Sequence, residues 1–319
     1  MDERQFVSFL KKKFPFRRGL GIGDDASAVR IGKYFQLVST DILIEDIHFR
    51  LADFSMAELA QKSLAVNISD IAAMGGQAQY FYLGLGFPDR LSPEILRAFF
   101  SGLSRAAKKW RVELAGGDYS RSEKMVIAVT IVGQSKKPVL RSGARPGDWV
   151  AITGPTGESA LGLKQLLAGE KDSPFIRSHK RTVPQCEKGL RLAQYAHAMI
   201  DLSDGLLLDL SRLLHASAVG AEIDYEKLPV SPRLRRLCRQ KNYMEKELVL
   251  AGGEDYQLLF AISPRQESRL RQTGMGYHLI GKITKGRRLL IVEKGHPLKI
   301  SCLGFDHFIH ASDKKREKI

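Results

Sequence analysis

GLGIGDDASAV, residues 19–29, is a loop punctuated by glycine, and it runs into YFQLVSTDIL, residues 34–43, an alternating stretch that reads as a strand ending near Thr40. Residues 55–73 follow with apolar side chains at helical spacing and Ser55 in the N-cap position. Residues 80–87 read as a strand. Residues 91–110 give the clearest helix, with Ser92 to cap it, Pro93 suited to its first turn, and Ile95, Phe99, Leu103 and Ala106 on one face. Residues 124–132 have the character of a buried strand, and RSGARPGD, residues 141–148, is turn chemistry at a candidate domain boundary. The second half opens with a strand (WVAIT), a Gly-Pro-Thr-Gly loop and a helix from about Glu158. Basic, loop-like sequence then runs to Pro184, followed by MIDLSDGLLLDLSRLL and a strand-like AEIDYEKL. Helices and strands alternate throughout, so the expected class is α/β in the broad, mixed α and β sense.

The chain has 319 residues, enough for one large or two medium domains with a substantial core. Its 44% apolar and 27% charged content are those of a globular protein, not a disordered one. No stretch suits a membrane-spanning helix, and the first residues, MDERQFVSFLKKKF, lack the apolar core of a secretory signal. Cys186, Cys238 and Cys302 stand far apart, which points to a reducing cytoplasm and not to a disulfide framework. The net charge of +15 invites a nucleic-acid partner. The surplus, however, falls in separate runs, without the aromatic interleaving or finger spacing of nucleic-acid readers, and a charge run is usually a solvated face.

Motifs for several chemistries are missing. There is no GxxxxGK[ST], HExxH or GxSxG, and His307 and His310 read as surface residues. What the chain does have is acidic residues set among Gly, Ser and Thr: Asp24 and Asp25 in GIGDDA, Asp41 in STD, Asp70 in NISD, Asp118 in AGGD, Asp201 and Asp204 in IDLSDG, and Glu254 and Asp255 in GGED. Most are expected where a strand or loop gives way to a helix, with NISD and DLSD each opening one. Small neighbours let backbone and ligand approach closely. Such carboxylates look like ligands for Mg2+, which takes a few carboxylates together with water and substrate phosphates. Any one of them alone reads first as an ordinary N-cap; it is their joint occurrence that N-capping explains poorly. Residues 154–157 read either as a phosphate cradle at a helix N-terminus or as a tight turn. His48 by itself reads as a satisfied core histidine.

Taken in order, GIGDDAS, VSTDILIEDIHF, KSLAVNISDIAAMGG, AGGDYSRS, RSGARPGD, ITGPTGESALGL, MIDLSDGLLLDL, LAGGEDYQLLF, IGKIT and GFDHF resemble the thiamine-monophosphate kinase family, a branch of the superfamily that includes aminoimidazole ribonucleotide synthetase and selenophosphate synthetase. The resemblance spans residues 19–308. It implies a two-domain fold like that of aminoimidazole ribonucleotide synthetase, with an N-terminal domain (residues 1–140) that dimerises through its strands, a C-terminal α/β domain (residues 141–319), and nucleotide in the cleft between them. The implied reaction is ATP-dependent phosphorylation of thiamine monophosphate to thiamine diphosphate. By the same resemblance, Asp25, Ser39, Thr40, Asp41, Asp70, Asp118, Asp201 and Asp204 hold several Mg2+ ions, with Asp70 and Arg141 assisting transfer. Gly117, Asp118, Arg141 and Ser203 contact ATP; His48, Glu254 and Phe305 contact thiamine monophosphate. Tyr119 departs from the family's usual Thr, and the basic tail after Phe308 lies outside the pattern. A selenophosphate synthetase needs a reactive residue near the first Gly-rich loop, whereas the first cysteine here is Cys186; His48-Phe49 favours the thiamine branch over the purine one. The competing classes are a sibling ATP-dependent synthetase and a basic nucleic-acid-binding protein.

Overall fold

The computed structural model describes residues 3–298 and 304. After helix α1 (Glu3–Lys13), six strands form the first sheet: β1 (Gly19–Leu20), β2 (Ser27–Ile31), β3 (Tyr34–Ile44), β4 (Gln77–Phe87), β5 (Glu113–Arg121) and β6 (Val126–Ser135), in the order β1-β2-β3-β6-β4-β5. All neighbours are antiparallel except β4 and β5. That parallel pair is joined by helix α3 (Pro93–Trp110), as a crossover connection requires. Strand β3 runs past Thr40 to Ile44, because its pairing with β6 continues to Val126.

Helix α2 (Met56–Ala73) is the structural axis. Ser55 and Glu58 form a capping box at its start. Thirteen of its 18 residues are buried, polar ones included, so no face meets solvent along most of its length. It lies between the first sheet, α3 and the second half of the chain. Its packing is close enough to need glycine on its neighbours: a Cβ on Gly102 of α3 would stand 2.5 Å from the Ala57 Cα, and one on Gly189 would stand 2.3 Å from the Ala72 carbonyl.

Among the described residues, the second sheet has seven strands: β7 (Trp149–Ile152), β8 (Ala198–Asp201), β9 (Gly220–Asp224), β10 (Leu258–Ile262), β11 (His278–Thr284), β12 (Leu289–Glu293) and β13 (His296–Pro297), ordered β13-β12-β9-β11-β7-β10-β8. Among the described strands of this sheet, only β9 and β12 run parallel. Strand β10 is apolar and buried throughout, as a strand covered on both faces must be. One face packs under helix α7 (Leu206–Ser217) and its neighbours; the other packs with Met199, Val139 and Ala73, the last from the end of α2. Hydrophobic burial therefore continues from one half into the other. The basic stretch expected to be loop contains a helix, α5 (Pro174–Lys180), which follows α4 (Glu158–Leu167) and precedes α6 (Cys186–Leu192). Ser173 caps α5 by accepting the Ile176 N–H, and Pro174 fills its first turn.

Candidate functional site

Carboxylates from three separate elements meet at the seam between the halves. Asp25 ends the Gly-rich loop before β2, Asp70 sits in the last turn of α2, and Asp201 ends β8; one oxygen from each lies within 4.8 Å of the others. The NISD segment therefore does not open a helix, as expected, but closes one, and the helix axis carries Asp70 into the seam. The DLSD segment does precede a helix, α7.

Each carboxylate is anchored. The Ser39 hydroxyl donates to Asp70 Oδ2, and the Ser69 hydroxyl donates to Asp201 Oδ2 at 2.6 Å. Beyond Val38, β3 has lost its β2 neighbour, and Asn67 Oδ1 accepts the open Asp41 N–H at 3.0 Å. Arg141 donates from Nη2 to Asp25 Oδ1 at 2.6 Å, while its backbone N–H meets the Asp24 carboxylate at 3.1 Å. Among the described residues, Asp25 Oδ2 is buried with no hydrogen-bond partner. A buried carboxylate oxygen without a donor is costly, and two further carboxylates beside it raise that cost.

The electrostatics follow. Burial, then Asp41, Asp201 and Asp25, push the Asp70 carboxyl well above the usual range. Burial and Asp25 do the same to Asp201. Asp41 is pushed up to about 6 by burial and by Asp204 and Asp25. Asp24 is pushed up to about 7 by burial and Asp25. Burial opposes the charge of Arg141, yet Asp25 beside it holds the guanidinium above its ordinary value. Hard carboxylate oxygens, crowded and under-donated, form a group that could hold a divalent cation, and the orphaned Asp25 Oδ2 fits such a donor set.

Not every expected ligand joins the cluster. Alternation along β3 puts the Thr40 side chain on the sheet face opposite Ser39 and Asp41, where its hydroxyl meets Thr130 at 2.9 Å. Asp118 lies in register with Gly84, and through it with Ala128 and Ile42, on that same outer face of edge strand β5. Gly117 shares a row with Asp41 but lies three strands away, about 14 Å. Asp204 pairs with Arg212, as does Asp209 at 2.8 Å. Ser203 lies in the same loop, and its carbonyl accepts the Glu254 N–H at 2.7 Å.

At the other end of α2, Glu254 stands in a left-handed conformation (φ 63°) beside a cavity of about 150 Å³ lined by Pro155, Ser159, Thr182 and Gln257. Lys62 of α2 reaches its Oε1 at 3.1 Å, and His179 of α5 reaches its Oε2 at 3.0 Å. Neither residue stood among the expected site residues. The signal for Lys62 was present, a lone charge inside the apolar run LAQKSLAV; His179 was hidden in the stretch read as loop. His48 lies in the turn after β3, where its Nδ1 accepts the Ile44 N–H at 3.0 Å. At the end of the 154–157 segment, Asp255 accepts the Gly157 N–H at 2.7 Å and the Ser159 N–H at 3.3 Å, so two N–H groups at the start of α4 have an acceptor from the chain itself. Tyr119 is exposed with its ring 6.4 Å from Phe87. Phe305, His307 and His310 lie outside the described residues, as does Cys302.

Residues 23–135 match the family profile of the AIR synthase related protein N-terminal domain, and residues 145–293 that of its C-terminal domain. A thiamine-monophosphate kinase of Escherichia coli K12 is 36% identical over 302 residues, covering 91% of this chain and 92% of the relative. One from Aquifex aeolicus is 35% identical over 293 residues, covering 90% and 92%. Among solved structures, AaThiL complexed with AMPPCP and TMP superposes with a TM-score of 0.88 at 32% identity, covering 96% of this chain and 97% of that one. Likeness of this extent, running through both sheets and the carboxylate seam between them, places the chain in the thiamine-monophosphate kinase family.

Proposed function

We propose that the chain transfers the γ-phosphoryl group of ATP directly to thiamine monophosphate, giving thiamine diphosphate, with Mg2+ held by the seam carboxylates. The observation that carries this reading is the convergence of Asp25, Asp70 and Asp201 with one oxygen left without a donor. The relatives' names and the solved complex of AaThiL with AMPPCP and TMP supply the substrate pair. Asp25, Asp70 and Asp201, with Ser39, Asp41 and Asp204 around them, would hold the metal. When bound, Mg2+ offsets the negative charge of the phosphates.

The protein's own residues do the rest. Arg141, fixed by Asp25 and still 21% exposed, presents a cation at the seam where two anionic phosphates must approach. The acceptor is a phosphate monoester, already anionic near neutral pH, so the site needs no general base. Ser203 and Gly117 contact the nucleotide. Glu254, with His48 and Phe305, receives the thiamine end. Thr40 and Asp118 face the other side of the sheet and come into play where a second copy closes over that face. The chain thus works as a homodimer, in the cytoplasm, with its halves divided near residue 140.

The test is ADP release with ATP and Mg2+, comparing thiamine monophosphate, thiamine and no acceptor. Release only with thiamine monophosphate is expected. Equal release in all three arms, or a preference for thiamine, would overturn the assignment.

A further inference from the structure

We propose that Lys62 and His179 are positioning residues that lock the Glu254 carboxylate as a fixed, ionised acceptor at the thiamine end of the site. Lys62 further sets its distance from the metal end, because α2 carries both Lys62 and Asp70. The inference rests on the phosphoryl-transfer reading above and deepens it.

A lysine only 1% exposed inside an apolar helix calls for an account. Its ammonium is used in three directions: to Glu254 Oε1 at 3.1 Å, to the His179 carbonyl at 3.0 Å, and towards the Phe54 ring at 5.4 Å. Buried ion pairs seldom stabilise a fold more than apolar residues of the same size, so stability alone is a poor reason for one here. His179 is 3% exposed and stacks at a tilt on Phe54, with ring centroids 5.9 Å apart. Burial and Lys62 hold its pKa down, so the neutral ring donates from Nδ1 to Glu254, with the Ser159 hydroxyl 3.1 Å from the same nitrogen. Each Glu254 oxygen thus has one buried donor, while the carboxylate keeps 28% exposure towards the cavity. Lys62 and His179 come from different halves of the sequence, so the acceptor forms only where the halves close.

Eight residues separate Lys62 from Asp70, which is about 12 Å along a helix. Thiamine monophosphate carries its cationic ring system and its phosphate at opposite ends. A rigid helix bearing the carboxylate's anchor at one end and a metal-binding carboxylate at the other fixes both ends of such a substrate at once.

The test uses the full-length chain with Lys62→Met and Lys62→Arg, measuring kcat and KM for each substrate at pH 6 and pH 8.5, with thermal melts to check folding. The groups around Glu254 are Lys62 on α2, His179 and Arg181 at α5, Glu158 on α4, Asp53 before α2, and the adjacent Asp255 and Tyr256. Burial pushes Glu254 up, and Lys62 then His179 overcome it, holding the carboxyl at about 2. Without Lys62, His179 is left to offset the burial that favours the neutral carboxyl, so Glu254 holds its charge less firmly and takes up a proton more readily at the lower pH. Lys62→Met is therefore expected to raise KM for thiamine monophosphate about tenfold at pH 6, the scale of losing a hydrogen bond to a charged group, and clearly less at pH 8.5. KM for ATP should stay put, and Lys62→Arg should restore most of the loss. A folded Lys62→Met with wild-type KM for thiamine monophosphate at both pH values overturns the inference, as does an equal loss for ATP. Should Lys62→Met not fold, His179→Ala carries the same test with the same expected split. A wild-type chain that does not turn over thiamine monophosphate defeats the functional reading instead.

Discussion

Asp70 burdens the folded chain when no cation is bound. It is buried among Asp41, Asp201 and Asp25, and the Ser39 hydroxyl only partly offsets the repulsion. Asp70→Asn keeps the shape and the Ser39 contact but removes the charge. In chelator, the variant should melt higher than wild type by about 2 °C, the shift expected per kcal/mol in a chain of this size. Adding Mg2+ should then raise the melting temperature of wild type more than that of the variant. With ATP and thiamine monophosphate, the same substitution should lower kcat at least about 100-fold, the scale of losing an electrostatic stabiliser. A variant that gains as much from Mg2+ as wild type, or turns over near normally, would remove Asp70 from the metal set. The spacing of small residues around each acid made these positions legible in the sequence. Which acids share a centre was not, because that depends on strand alternation: Ser39 and Thr40 are neighbours in the chain but face opposite sides of a sheet.

Between α2 and α3 the contact is backbone to backbone, and Gly102 is the residue that allows it. Two effects oppose each other in Gly102→Ala. Helix propensity favours alanine by about 1 kcal/mol. Against it, the new Cβ would stand 2.5 Å from the Ala57 Cα, a backbone atom that cannot swing aside, and overpacking costs typically 1–3 kcal/mol, roughly. The clash should win, lowering the melting temperature by a few degrees. Gly276→Ala, which meets nothing within 4 Å, should leave it almost unchanged. A stabilised Gly102→Ala would mean that α3 stands further from α2. The period of α3 and its Ser-Pro start were readable in the sequence, and α5, α8 (Pro232–Lys241) and α10 (Pro264–Arg271) begin with the same pair. That signal could have found α5 inside the basic stretch. It does not guarantee the cap: Ser173, Ser231 and Ser263 accept the expected N–H, while Ser92 makes no such bond.

Across the whole molecule, the halves are tied by polar contacts at both ends of α2: Ser69 to Asp201 at one, Lys62 to Glu254 at the other. The mixed α/β class and the alternation of elements could be read from periodicity, but the seam could not, since it is assembled from segments more than 100 residues apart. Among the described residues, the outer face of the first sheet is left uncovered. Ile42 is 48% exposed and Tyr82 44%, they lie on the face that bears Thr40 and Asp118, and every residue of edge strand β5 is exposed. Apolar side chains in adjacent rows of a bare sheet favour burial against a partner. In the proposed homodimer that partner is a second copy of the chain. Sedimentation should then give twice the chain mass of 35.6 kDa for wild type. Ile42→Glu with Tyr82→Glu, which puts four like charges into a symmetric interface, should give single chains with an unchanged far-UV spectrum. If activity falls with the dimer, Asp118 and Thr40 act across the subunit boundary; if the double variant stays dimeric, the copies meet through another face.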